Sequence, residues 1–170
     1  MPEKLDTEDL IVNILNKTKV KEIMTKNVVT VEVDDPFSLV EENLRLYSIR
    51  HLPVVNAANK IVGIVTERDL FRIRSPRVDP DGSRYYLKEV LDEYILEHAM
   101  TKNPFSLQPD DSVAVAIMAM ADNKIGCIPV VNEKNVLKGI VTRYDFIRIV
   151  ARILKKKMLP SYQTKIPNRA

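Results

Sequence analysis

HLPVVN at residues 51–56, followed by KIVGIVTERDL at 60–70, comes back as CIPVVN at 127–132 and VLKGIVTRYDF at 136–146. The offset is 76 residues for both segments. It also carries MTKNVVTVEVDD (24–35) onto MTKNPFSLQPDD (100–111), so residues 24–73 and 100–149 align without a gap. Self-similarity at a fixed period marks a duplicated structural unit. Two copies are too few for an open solenoid, so the pair is expected to close on itself about a pseudo-twofold axis. The two copies of the polar motif would then face a shared cleft.

Within each copy the pattern reads β-α-β-β-α. In the first, a strand at Val28–Val33 leads to Asp34-Asp35-Pro36, where an Asp can cap a helix and Pro suits its first turn. Phe37, Val40, Leu44 and Tyr47 recur at helical spacing, so a helix is expected over Phe37–Tyr47. Strands follow at Leu52–Asn56 and Lys60–Val65, joined by the turn Asn56-Ala57-Ala58-Asn59. Thr66 opens a second helix as its N-cap, with Asp69 at the third helical position. The fold class is therefore α/β (α+β), with two repeats packed as a pseudo-twofold pair. Residues 1–19 read as a short N-terminal helical segment with Leu10, Ile11, Ile14 and Leu15 on one face. The first repeat covers 20–73, and a linker covers 74–95, with a Pro- and Gly-rich loop and then a helix bearing Leu87, Val90, Leu91 and Tyr94. The second repeat covers 96–154, its last helix running over Tyr144–Leu154. The basic tail covers 155–170, where Pro160 and Pro167 are expected to stop regular structure.

The two first helices differ. The first copy carries Glu41, Glu42, Asn43 and Arg45, a solvated outer face. The second reads Val113-Ala114-Val115-Ala116-Ile117-Met118-Ala119-Met120-Ala121, apolar all round. A helix without a polar face is buried, here against a second subunit in a homodimer, or else under the linker or a terminal helix.

At 170 residues and 45% hydrophobic content, the chain is long enough for one compact core or two small halves packed as one. Its longest apolar run is far short of the roughly 20 residues of a membrane helix, and the acidic MPEKLDTEDL start is no signal peptide. Cys127 stands alone, which rules out an internal disulfide framework and suits a reducing cytoplasm. The net charge of +3 is uneven: Arg152, Lys155, Lys156, Lys157, Lys165 and Arg169 lie beyond Val150 without an acid, leaving the rest at about −3. Such a tail suits a solvated helix end, nucleic acid or an acidic partner, though Tyr162 alone supplies no series of stacking aromatics.

Chemistry concentrates in Gly63-Ile64-Val65-Thr66-Glu67-Arg68-Asp69 and its copy Gly139-Ile140-Val141-Thr142-Arg143-Tyr144-Asp145. A Thr hydroxyl beside free helix N–H groups suits a phosphate. An Asp one turn later offers two acceptors to the hydroxyl pair of a ribose. The plain alternative is a capping Thr and a dipole-stabilising Asp, each worth about 1 kcal/mol. Both copies in register favour a ligand. Catalysis is not expected: His51 and His98 are the sole histidines, no metal-ligand spacing occurs, and the four glycines make neither a Walker loop nor GxGxxG. Asp34-Asp35 and Asp110-Asp111 read as helix caps rather than acid–base pairs.

With the MTKN start, the Arg50-His51-Leu52-Pro53-Val54-Val55 and Gly126-Cys127-Ile128-Pro129-Val130-Val131 strands and the closing G-x-V-T-x-x-D, the chain resembles a stand-alone tandem pair of cystathionine-β-synthase (CBS) domains, the Bateman module. The match covers roughly Val20–Phe71 and Leu96–Ile149. This resemblance implies a regulatory ligand sensor with no catalytic role, binding AMP, ADP, ATP or S-adenosylmethionine in clefts between repeats and passing the change to a target protein. It implies one cleft built from Thr66, Arg68, Asp69 and His51 with Thr101, Phe105, Ile125 and Gly126. The other combines Thr142, Tyr144, Asp145 and Cys127 with Thr25, Val29, Ile49 and Arg50. Since Arg68 and His51 have Tyr144 and Cys127 as counterparts, the Asp69 cleft is expected to be the better phosphate binder. A nucleic-acid-associated regulator using the tail, or a structural dimerisation module with degenerate sites, remains the alternative.

Overall fold

A computed structural model describes the chain except for residues 1–5, 74–76, 79, 83, 86–94 and 163–170. Helix α1 (Thr7–Lys17) is followed by a single 3-10 turn at Val20–Glu22. The first repeat then runs β1 (Val31–Glu32), α2 (Phe37–Leu46), β2 (His51–Val55), β3 (Ile61–Thr66) and α3 (Glu67–Ile73). Next come a small hairpin, β4 (Arg77–Val78) and β5 (Arg84–Tyr85), then α4 (Leu96–Ala99) and β6 (Thr101–Lys102). The second repeat ends the chain with α5 (Val113–Asp122), β7 (Cys127–Val131), β8 (Leu137–Thr142) and α6 (Arg143–Tyr162).

The repeats do not keep to themselves. In the first sheet β1 pairs parallel with β2, β2 antiparallel with β3, and β3 antiparallel with β6, which belongs by sequence to the second repeat. Ile64 faces Thr101 in that last pairing. The 76-residue equivalent occurs on the other side, where Thr25 bridges Ile140 in β8 and Leu107 bridges Val130 in β7. Each lead-in segment thus completes the sheet of the other repeat. Hydrophobic side chains make the same exchange. Leu96 and Ala99 of α4 sit in the core of Val31, Phe37, Val40, Leu44, Leu52, Val54, Val65 and Leu70. Val20 joins the core of Leu107, Ala116, Met120, Ile128, Val130 and Val141.

Between the halves, Lys60 bridges Val136, while Ile61 N donates to Asn135 O at 3.1 Å and Leu137 N to Asn59 O at 3.0 Å. These bonds exchange under the 76-residue offset, so the pseudo-twofold axis passes between Lys60 and Val136. Val55, Ile61, Val131 and Leu137 form the apolar seam there.

Five expectations need correction. The strand over Val28–Val33 shrinks to Val31–Glu32, because Val28 turns into the seam with Ile64, Cys127 and Ile140. Asp35 does not cap α2: its carboxylate accepts from Glu32 N at 2.7 Å, and Asp111 does the same for Gln108 N at 2.6 Å, closing the turn before each helix. Ser112 is the real cap of α5, accepting from Val115 N. Helix α5 is not buried all round, for Val113, Ala116 and Met120 face inward while Val115 and Met118 are exposed and α1 lies alongside. The loop after the first repeat contains the β4–β5 hairpin, turned by Gly82 at φ +85°. Finally, α6 runs through Pro160 to Tyr162; a proline this close to a helix end forfeits one N–H bond within the last turns. The expected helix at Leu87–Tyr94 and the tail beyond residue 162 lie outside the described residues.

Candidate functional site

Each Thr–Asp pair is built as the sequence reading expects. Asp69 Oδ2 accepts from Thr66 N at 3.0 Å and from Thr66 Oγ1 at 2.7 Å, while Asp69 N donates back to Thr66 Oγ1 at 3.4 Å. In the second copy Asp145 Oδ2 accepts from Thr142 N and Thr142 Oγ1, both at 2.8 Å. The capping alternative is therefore real, and it does not exhaust the carboxylates. Asp69 Oδ1 lies 3.2 Å from Arg72, and Asp145 Oδ1 lies 3.1 Å from Arg148.

A cleft of about 600 Å³ opens on the Asp145 side. Thr142, Tyr144 and Asp145 line it from the second repeat, and Thr25, Val29, Ile49 and Arg50 from the first. Seven of the eight residues expected in this cleft are thus brought together. The eighth, Cys127, is buried with Ile64 and Ile140, and burial pushes its thiol up to about 12, leaving it inert at neutral pH. His51 and Gly126, expected beside Asp69, also line the Asp145 cleft. They touch: a Cβ added to Gly126 would lie 2.5 Å from His51 Nε2 and 3.3 Å from Arg143. Glycine is needed here because the imidazole occupies that space.

The rest of the Asp69 set is more dispersed. Thr101 is exposed in β6, Phe105 is exposed, and Ile125 packs against the second core. Arg68 is exposed at the start of α3, though its charge reaches His51.

Sequence reading missed Arg143 and Arg148, both lining the Asp145 cleft, together with Asn27 and Ser48. Arg143 stands where the first copy has Glu67, so the offset alone held the signal. No carboxylate among the described residues pairs with Arg143. Among the described residues the Arg50 side chain makes only a long, exposed contact with Glu67 at 3.7 Å, worth little. His51 sits within this positive field. Burial foremost, then Arg143, Arg50 and Arg68, push its pKa below the usual value, so the imidazole is neutral at physiological pH. A neutral imidazole ringed by arginines is a donor-rich setting for an anion. Among the described residues, no group of three His, Cys, Asp or Glu is placed to hold a metal ion.

Comparison with known proteins bears on this arrangement. The family model of the CBS domain matches residues 20–75 and 92–152. A CBS domain-containing protein of Dictyostelium discoideum is 30% identical over 139 residues, which is 82% of this chain and 95% of that protein. A homoserine O-acetyltransferase of Methanococcoides burtonii is 29% identical over 81% of this chain, but the match spans only 25% of the enzyme. The crystallised CBS domain pair of protein MJ0100, in complex with 5′-methylthioadenosine and S-adenosyl-L-methionine, superposes with a TM-score of 0.66 at 26% identity, covering 80% of this chain and 98% of that one.

Proposed function

The chain belongs to the CBS domain family, and on that premise we propose that it is a regulatory module binding an adenosine-containing ligand in the Asp145 cleft. The observation that carries this reading is the cleft itself: Thr142 and Asp145 of one repeat face Thr25, Val29, Ile49 and Arg50 of the other across about 600 Å³. That volume lies within the range of small-molecule sites. Ile49 and Val29 offer apolar surface to a base, Asp145 an acceptor to a ribose, and Arg50, Arg143 and His51 donors to phosphate.

The balance of charge favours an anionic ligand here. Arg143 replaces the acid of the first repeat, and His51 crosses from the first repeat to stand by Gly126. AMP, ADP or ATP should therefore bind more tightly than S-adenosylmethionine, whose sulfonium is cationic. On this reading the Asp145 cleft, and not the Asp69 cleft expected from the sequence, is the better phosphate binder. Because the cleft walls come from both repeats, a ligand that binds one inter-repeat angle better shifts the population toward it.

A partner completes the module. The exposed Leu10, Ile11 and Ile14 of α1 and Val115 and Met118 of α5 are the apolar surface on which a homodimer would form. The regulated target is a separate protein or a further domain.

Calorimetry with AMP, ADP, ATP and S-adenosylmethionine tests the ligand reading. Asp145→Ala should abolish most of the binding and Asp69→Ala should leave a tight site. Absence of binding by all four at millimolar concentration would sink it.

A further inference from the structure

Asp145 is the single buried charged side chain among the described residues, at 3% exposure. A carboxylate offers about four lone-pair positions. Thr142 N and Oγ1 take two on Oδ2, and Arg148 takes one on Oδ1. A ribose diol arriving at this group meets a carboxylate whose outer oxygen is already engaged.

We propose that Arg148 is a displaceable internal competitor for the ligand's ribose, a latch on Asp145 that opens when the ligand binds. The proposal rests on the reading of Asp145 as the ribose acceptor. Geometry assigns the moving part. Asp145 is fixed by Thr142 and buried, with 5% of its side chain exposed, whereas the Arg148 side chain is 60% exposed and reaches in from the rim. Water can solvate the guanidinium as it leaves. The carboxylate has no such route, so exchange proceeds by the arginine swinging out and the two hydroxyls taking its place.

The first repeat has the same pair with one difference. Arg72 faces Asp69 Oδ1 at 3.2 Å, and its Nη2 also donates to Ala99 O at 3.4 Å. That carbonyl belongs to α4, so the second tether holds Arg72 to the other lead-in segment. Arg148 makes no second bond among the described residues. The Asp145 latch therefore releases more readily than the Asp69 latch, and a ligand fills the Asp145 site first.

Adenosine titrated into the full chain is the probe, because it carries ribose without phosphate. Arg148→Gln should tighten adenosine by about threefold or more, the scale of one released ion pair to a buried carboxylate, while Arg148→Lys should fall between it and wild type. The gain should vanish with 2′-deoxyadenosine, which lacks half of the diol. Arg72→Gln should leave the first binding event unchanged. Equal or weaker adenosine binding by Arg148→Gln, in a variant that melts like wild type, overturns the latch while leaving the ligand reading intact. If wild type and Arg148→Gln both fail to bind adenosine and AMP, the ribose reading itself is lost.

Discussion

His51 and the glycines show how much single positions matter. The folded-state pKa of His51 is depressed, so the unfolded chain binds the extra proton first as pH falls. Stability is fully present above about 6.5, the ordinary histidine value, and is lost as pH drops toward the folded value. Thermal melts at pH 7.5 and pH 5.5 should show a smaller acid-side loss in His51→Gln than in wild type; equal losses would refute the assignment. Gly63 and Gly139 are equivalent by offset but not in cost. The nearest atoms to a Cβ at Gly63 all belong to the flexible Met100 side chain, whereas one at Gly139 would meet the Thr25 carbonyl at 2.9 Å as well as Met24. Gly139→Ala should therefore lose about 1–3 kcal/mol in urea unfolding, more than Gly63→Ala, and it should weaken ligand binding because Thr25 lines the cleft. Sequence alone revealed the Thr–Asp motif, since its bonds are local and three residues long. The resemblance grouped His51 with Gly126 but beside Asp69 rather than Asp145, because which Thr–Asp motif they face depends on how two strands from different repeats meet.

At the level of elements, periodicity located α2, β2 and β3 within a residue, but it stopped α6 at Leu154 rather than Tyr162 and read the β4–β5 hairpin as loop. The ends were less legible, because Asp35 and Asp111 had two possible amide partners and the turn won over the helix. The covering of α5 was also undecided in sequence. Its inner face needs Val113, Ala116 and Met120, and α1 lies beside it without burying any residue of its own. Light scattering of the full chain should report a dimer, and Met118→Glu should shift it toward monomer; a wild-type monomer at high concentration would remove α1 and α5 as the contact. The exchanged plugs give a sharper test. Leu96 belongs by sequence to the second repeat but is buried in the core of the first. Leu96→Ala should cost about 2–5 kcal/mol, and hydrogen exchange should rise first in β2 and β3 rather than in β7 and β8. Faster exchange in the second repeat would contradict the exchanged packing.

Across the whole molecule, the duplication made the pseudo-twofold arrangement readable, and the breaks in the duplication distinguish the two candidate clefts. Glu67 against Arg143 and His51 against Cys127 decide which cleft is cationic, although the direction emerged only once Arg143 and His51 were seen on the same side. The Thr25–Ile140 bridge described above has a mechanical meaning. Thr25 N and O are bonded to Ile140 O and N at 2.9 and 3.0 Å. Thr25 lies a few residues past the segment that follows α1, and Ile140 lies two residues before Thr142, which α6 follows directly. A load applied through α1 and a load applied through α6 therefore meet on one rung of backbone, in the wall of the cleft. Anything hung on either helix pulls on the same stitch, whose two residues line the cleft.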